Sequence, residues 1–500
     1  RRARPRQGGG ARVSLEPTLR PRVQMIADSL IDRIIDEAFD VLERLGLQFE
    51  NPRALDVFAD HGQRVEREKE RVYLKRDFIE RALQTVPKSI TVWNVTGTKS
   101  IEIGGDNVTF DPGSAAIKVL LQDRSVRSST SADYVKLSRL VHQLPNIRAH
   151  STSLVPHDLP IESSDYFRLC IAAQTCDKPL VTGLFRHESF DTMLEMMAIL
   201  RGSKQAVAEK PYALFDACPS SPLRWSELTS ESLMKCAAAG VPSEVISVPL
   251  TGATGPVTLS GSLVVHTAEN LAGIALVQAI RPGAPVVYGG APCLMDMRAG
   301  QTPFGSIETM MIDCAYAQIG KRFHLPIHAY MGLSDSKLVD AQAGYETGYG
   351  VILAALAGVN IVSGVGILDF ITVQSLEKLV IDNEICGMAY RLLDGIRMRH
   401  EPMAIDFLPD AIEKGHFLGH PTTLKLFKEE GLLPGKAVDR ASAPVGGKGP
   451  SDYERASKVV EDLLAKPRFV LPEAMVKELD RVALADARQW GLEAIPAFPE

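Results

Sequence analysis

Between residues 107 and 399 the chain alternates eight times between a short β-prone run and a longer stretch of helical period, and this alternation restricts the fold more than any other feature. The runs cover 108–111, 148–155, 179–183, 212–217, 244–250, 285–289, 327–331 and 359–362. Helical stretches follow at 132–143, 163–176, 188–200, 226–239, 261–280, 303–322, 340–356 and 374–393. Eight consecutive βα units over roughly 290 residues fit a TIM (β/α)8 barrel, which takes about 250 residues plus insertions. A doubly wound sheet would need fewer strands and a reversal of their order. The class expected is α/β, with four segments: a disordered or extended tail at 1–22, an α+β extension at 23–106, the barrel at 107–399 and a mostly helical extension at 400–500.

Composition narrows the function classes. A net charge of -6, from 55 basic and 61 acidic residues, gives no bulk attraction to nucleic acid. The one basic run, RRARPR, adjoins GGG and reads as a tail. Seven scattered cysteines with no CxxC pair point to neither a zinc ribbon nor a disulfide framework. No apolar window reaches the ~20 uncharged residues of a membrane helix, and no secretory h-region stands near the start. The expected location is cytoplasmic, with no membrane and no nucleic acid as partner.

A TIM barrel places its site at the C-terminal strand ends. Those ends carry Asp111 with Ser114, His157, Thr182 with Phe185 and His187, and Asp216 with Cys218. Further round come Thr251 with Thr254, Tyr288 with Cys293 and Asp296, Tyr330 with Asp335, and Ser363 through Phe370. The seventh loop is richest. His328 and Tyr330 share a strand face, and Gln342, Tyr345, Glu346 and Tyr349 form one stripe of the following helix. Asp340 suits a helix N-cap as well as a functional role. Gly289, Gly290, Gly364 and Gly366 can line a floor for a flat macrocycle or cradle a phosphate. His324 and His328 have Pro326 between them, which argues against a shared metal site.

The phrases GPVTLSG (255–261), HTAENLAGIALVQ (266–278), RPGAPVVYGG (281–290), DSKLVDAQAGYETGYG (335–350), ALAGVNIVSGVG (355–366), SLEKLVIDNEI (375–385) and GHFLGHPTTLKLF (415–427) resemble, in this order, the trimethylamine methyltransferase family. The resemblance covers nearly the whole chain. It implies a TIM barrel that passes a methyl group from a tertiary or quaternary amine to the Co(I) of a separate corrinoid protein, and a homo-oligomer. Trimethylamine enzymes of the family carry pyrrolysine near the segment matching 330–337, which here holds ordinary residues. That departure points to the non-pyrrolysine branch, similar to glycine betaine:corrinoid methyltransferases, with glycine betaine, proline betaine or carnitine as the methyl donor.

Co(I) is then the nucleophile, so no protein nucleophile, bound metal or covalently held cofactor is expected. A methylammonium needs aromatic faces and a carboxylate at a distance. Tyr288, Tyr330 and Phe370 are candidates for the cage, with Asp335 or Glu346 for the charge and Tyr345 beside them; each aromatic equally suits a barrel cap. Ser363 stands where glycine-betaine-type relatives often have histidine. His157, His187, Arg186, Arg298 and His328 remain as partners for a substrate carboxylate, His328 first by position. Two alternatives stay open: a Schiff-base lyase using Lys337, and a betaine-binding or regulatory paralogue without transfer.

Overall fold

A computed structural model describes residues 18–113, 115–442, 447 and 449–494. Among these, eight parallel strands run in chain order around a barrel: β1 (Thr109–Asp111), β2 (His150–Ser151), β3 (Leu180–Gly183), β4 (Ala213–Ala217), β5 (Ser243–Ser247), β6 (Val286–Gly290), β7 (Ile327–Tyr330) and β8 (Ile361–Ser363). From β2 to β8 each strand pairs with the next, and β8 pairs with β1. The Ala149 N–H donates to the Phe110 carbonyl at 3.3 Å across the remaining seam. The expected TIM barrel is therefore present. The run at 148–155 is the one that shrinks most, to the two residues of β2.

Period-two alternation sorts each strand into two faces. Phe110, Leu180, Phe215, Val245, Tyr288, Ile327 and Val362 point outward into the main hydrophobic core beneath the helices. Val181, Leu214, Val287 and Ile361 point inward and pack against Ile90, Val92 and Ile103. Those three belong to an antiparallel hairpin, Ser89–Trp93 with Ser100–Gly104, which plugs the N-terminal end of the barrel. One end is thus sealed by apolar packing, and only the other can admit a ligand.

Eight helices surround the strands: α1 (Ser131–Gln143), α2 (Ser164–Thr175), α3 (Ser189–Arg201), α4 (Glu227–Ala239), α5 (Leu259–Ile280), α6 (Ile307–Arg322), α7 (Ala341–Ala357) and α8 (Leu376–Leu393). Six begin on a side-chain cap from Thr130, Ser226, Thr258, Ser306, Asp340 or Ser375, which satisfies backbone N–H groups the helix leaves free. Asp340 is thereby settled as a cap, accepting from the Ala343 N–H at 3.0 Å.

Helix α5 is apolar all round because it is covered all round. Strands β5 and β6 lie on one side, and the extension helices Asp28–Asp40, Pro52–Asp60 and Arg76–Thr85 on the other. By length and composition it could cross a membrane, which corrects the expectation that no window qualifies; 83% of that window is buried inside the fold. Residues 18–22 lie along the sealed end, where Arg20 donates to the Asp106 carbonyl at 2.6 Å; residues 1–17 of the expected tail fall outside the described residues. At the other terminus, Asp452–Leu464 packs on α1 and α8, and Glu473–Ala487 on α2 and α3. The described cysteines are all free.

Candidate active site

The open half of the barrel is lined by polar side chains that strand register brings together. Asp216 and Glu244 are partners on neighbouring strands, as are Ser363 and Asp111, and Tyr330 and Ser363. Glu244 is fully buried, and neither of its carboxylate oxygens has a hydrogen-bond partner. Its pKa is pushed well above the usual carboxylate range, first by burial, then by the charges of Asp216 beside it and Asp111 on the facing wall. Burial likewise lifts Asp111 to about 7, against hydrogen bonds from Ser363 and the Gly113 N–H.

Asp111, Ser363 and His328 form a buried chain. Ser363 Oγ donates to Asp111 Oδ2 at 2.7 Å and lies 2.8 Å from His328 Nε2. With Asp111 ionised, the hydroxyl proton goes to the carboxylate, so Ser363 accepts from His328 Nε2–H. Nδ1 is then the acceptor that the fold leaves without a partner. Burial holds this imidazole neutral, its pKa pushed down to about 3. The order Asp–Ser–His differs from a nucleophilic triad, where histidine stands between the other two. Ser363 is tied at both ends and is no nucleophile.

Loops after β5 to β8 close over this layer. Ile246, Phe304, Tyr330, Leu333 and Ile367 form an apolar cluster there, with Ile371 packed on its edge. Tyr330 stands edge-on to His328, ring centres 5.0 Å apart. Asp369, Phe370 and Ile371 follow one another with φ of 50°, 53° and 64°, costing roughly 1–2 kcal/mol each for residues with a Cβ. Strain of this kind gathers at functional loops.

Of the residues predicted from sequence, His328, Tyr330 and Ser363 therefore meet at the mouth beside the strand-end carboxyls Asp111 and Asp216, and the other substrate-binding candidates are placed differently. Tyr288 points out of the barrel. Its hydroxyl lies 3.1 Å from Thr267 Oγ1 and its ring packs edge-on against His266, because β6 turns every second side chain toward α5. Tyr345 lies on the solvent face of α7, half exposed, against Tyr349. Phe370 already carries the Lys337 ammonium 4.0 Å above its ring.

Asp335 and Glu346 are structural clamps. Asp335 accepts from the N–H groups of Phe304 and Gly305, and Glu346 from Ser334 Oγ at 2.6 Å and the Asp335 N–H at 2.9 Å. Gly290 faces outward, where a Cβ would overlap the His266 ring. Gly364 is closed off by Leu333, and Gly366 by Gln374 and Leu379, so these three form no open floor. Gly289 alone faces inward, against His328 and Ile246.

Ser114 lies outside the described residues. His157 is exposed, Arg298 is held by Asp296, and Arg186 stacks over Trp490; none reaches the interior. Lys337 has a 62% exposed side chain and donates to the Asp335 carbonyl, which is no setting for a desolvated amine nucleophile. No group of metal-ligating side chains occurs among the described residues. Glu244 and Phe304 were missed. A glutamate alternating with apolar residues in SEVIS was the available signal for the first.

The outward placement of Tyr288 predicts the behaviour of Tyr288→Phe. The substitution should cost about 1 kcal/mol of stability through the lost hydroxyl contact, and a binding titration should show substrate affinity unchanged. A tenfold loss of affinity would return Tyr288 to the site.

The family described as trimethylamine methyltransferase (MTTB) matches residues 1–483. The chain belongs to this family. A glycine betaine methyltransferase of Desulfitobacterium hafniense (strain Y51) is 34% identical over 478 residues, 95% of this chain and 98% of the relative. The trimethylamine methyltransferase MttB of Desulfitobacterium hafniense (strain DSM 10664 / DCB-2) is 28% identical over 473 residues, 93% and 94% of the two chains. Among solved structures, the Methanosarcina barkeri monomethylamine methyltransferase (MtmB) aligns with a TM-score of 0.50 over 74% of this chain and 77% of that one, at 10% identity. The hydroxylamine complex of MtmB gives 0.52 over 88% and 89%, also at 10% identity. At that identity the likeness concerns the barrel fold. Membership of the trimethylamine methyltransferase family makes the chain a methyltransferase.

Proposed function

We propose that this methyltransferase takes a methyl group from a quaternary amine, glycine betaine or a related betaine such as proline betaine or carnitine, and passes it to the Co(I) of a corrinoid carried by a separate protein. One observation carries the reading: Glu244, fully buried with both oxygens unpartnered, is flanked by Asp216 and faced by Asp111. None of the inward strand positions above the apolar plug is lysine or arginine among the described residues, so no side-chain cation from the strands answers Glu244. A cationic ligand would. The 34% identity to a glycine betaine methyltransferase supports the same class of donor.

The chemistry asks little else of the protein. A quaternary ammonium leaves as a neutral amine, the C–N bond electrons staying on nitrogen, and the reduced corrinoid supplies the nucleophile. The residues here bind the cation through Glu244, offer it the faces of Tyr330 and Phe304, and exclude water beneath the closed loops. Val257 and Met297, 75% and 73% exposed, flank Gly252 on the loops beyond β5 and β6 and suit the docking of a protein at the mouth.

Purified protein is mixed with chemically reduced Co(I) cobalamin and, separately, glycine betaine, proline betaine, carnitine, γ-butyrobetaine, choline and trimethylamine. The absorption spectrum of methyl-Co(III) should appear with at least one quaternary amine and not with trimethylamine. Transfer from trimethylamine alone would overturn the proposal. Calorimetric binding of a quaternary amine without transfer, even with the cognate corrinoid protein, would leave a binding protein.

A further inference from the structure

We propose that His328 binds the carboxylate of the substrate through its Nδ1–H, and that Asp111 and Ser363 set the ring in the tautomer that carries that proton. The inference rests on the quaternary-amine reading for the cationic end of the ligand and adds a partner for its anionic end. A betaine has both ends on one short chain. Among the described residues no lysine or arginine stands at an inward strand position to hold the second end.

The imidazole is placed by register. Ile327 and Ala329 point outward into the main core, so His328 between them points into the barrel, where it is fully buried. Its Nε2 lies 2.8 Å from Ser363 Oγ, and its Nδ1 has no partner within the fold. A buried ring nitrogen in that state is costly until a ligand completes it. His328 and Glu244 stand two strands apart, on β7 and β5, with the inward Gly289 of β6 between them. That separation is roughly 10 Å along the wall, and the glycine puts no side chain in the way. One short zwitterion, with a contact at each end, covers such a span.

Which nitrogen holds the proton is decided at the far end of the chain. Asp111 Oδ1 accepts from the Gly113 N–H at 2.6 Å, so a proton on this carboxyl sits on Oδ2, 2.7 Å from Ser363 Oγ. With Asp111 ionised, Ser363 donates to it, Nε2–H donates to Ser363, and Nδ1 presents a lone pair that repels a carboxylate. One proton taken from solvent at Nδ1 moves every bond by one place. The Nε2 proton passes to Ser363 Oγ, and the former hydroxyl proton passes to Asp111 Oδ2. The imidazole stays neutral and now offers Nδ1–H as a donor. The step needs a group at position 363 that donates and accepts at once, which a serine hydroxyl does. Asp111 and Ser363 are thus positioning residues, acting through His328.

The surroundings of Asp111 favour its protonated state. Glu244 on β5 faces it across the interior, with Asp216 of β4 beside the glutamate. Behind β1, burial keeps Cys386 of α8 neutral, and Lys378 is taken up by Asp382 at 2.5 Å. From β7 and β8 come Tyr330, Ser363 and His328 itself, and from β2 His150, which burial also keeps neutral. Burial lifts Asp111 to about 7, so the donor tautomer prevails at acid pH and is lost as pH rises through 7.

Calorimetric titration of glycine betaine against choline, which has the same cationic head and no carboxylate, isolates the contact, because the Glu244 contribution cancels in the ratio. In the native protein the preference for glycine betaine should fall by up to about tenfold between pH 6 and 8. Asp111→Asn, whose amide N–H replaces the carboxyl O–H toward Ser363, should keep the preference at both pH values. Ser363→Ala should lose it at both. Nitrogen-15 spectra of the ligand-free protein, with the His328 ring assigned by its loss in His328→Gln, should place the proton on Nδ1 at about pH 5.5 and on Nε2 at about pH 8.5. In Asp111→Asn it should stay on Nδ1. A native ring that keeps one tautomer, or a preference that is independent of pH or survives in Ser363→Ala, overturns the proposal. If that variant does not fold, the native pH profile and spectra decide alone. Should choline bind and glycine betaine bind no better at any pH, only the carboxylate contact falls; should neither bind, the quaternary-amine reading falls with it.

Discussion

Glu244→Gln should weaken binding of the quaternary amine by about 100-fold or more, the scale expected when one member of a buried charge pair is removed, 2–5 kcal/mol. The glutamate has no internal partner to lose, since neither oxygen is bonded within the fold. The substitution keeps the shape of the side chain and deletes only its capacity for charge, so folding should be intact. Proton release gives a second signature. A ligand cation beside Glu244 stabilises the ionised carboxyl that burial, Asp216 and Asp111 disfavour. Binding at neutral pH should therefore expel a proton, and calorimetric enthalpies measured in buffers of different ionisation enthalpy should differ accordingly. The Gln variant should show neither the affinity nor that part of the release. Equal affinity in variant and native protein would remove Glu244 from the site and, with it, the observation on which the quaternary-amine reading stands.

Asp111→Asn should change the stability lost between pH 4 and 7 by about 4 kcal/mol, at 1.36 kcal/mol per pKa unit. The sign follows from proton counting. The folded-state pKa is raised to about 7, so across that window the native chain holds a proton that the unfolded chain has released. Stability from this group is present at acid pH and lost as pH climbs toward 7. Asparagine does not titrate, and the variant should gain on the native protein steadily from pH 4 to 7, then run level. The difference between the two curves is the quantity to measure. His150, His266 and His328, all held neutral with pKa pushed to about 3, pull the wild-type curve the other way below pH 6.5. Denaturant titrations of both proteins at pH 5 and 7.5 suffice. Parallel curves would mean that Asp111 is ionised in the native chain across the range.

The two substitutions address groups that sequence reading treated unequally. Asp111 and Asp216 were legible as strand ends, because a (β/α)8 rhythm locates strand ends from turns and glycines alone. Glu244 stands three residues before the end of β5, and its significance depends on which face of that strand it occupies. Val245 packs into the helical shell, so its neighbour must point inward. A shift of one residue would have exchanged them. Tyr288 failed for the same reason: a tyrosine near the end of β6 reads as a mouth residue until its register with Val245 turns it outward. Tyr345 and Glu346 shared a helix stripe, yet the neighbours of α7 leave the first in solvent and draw the second under the Ser334 loop.

Local sequence carried the order of strands and helices, six helix caps and the family of this chain. Each depends on residues a few positions apart, where backbone preference and hydrophobic period act directly. The tertiary structure alone decided which carboxyl groups share the barrel interior and which aromatics face it. Those outcomes are set by strand register, barrel closure and helix docking, which join residues more than a hundred positions apart, as Asp111 is joined to Glu244.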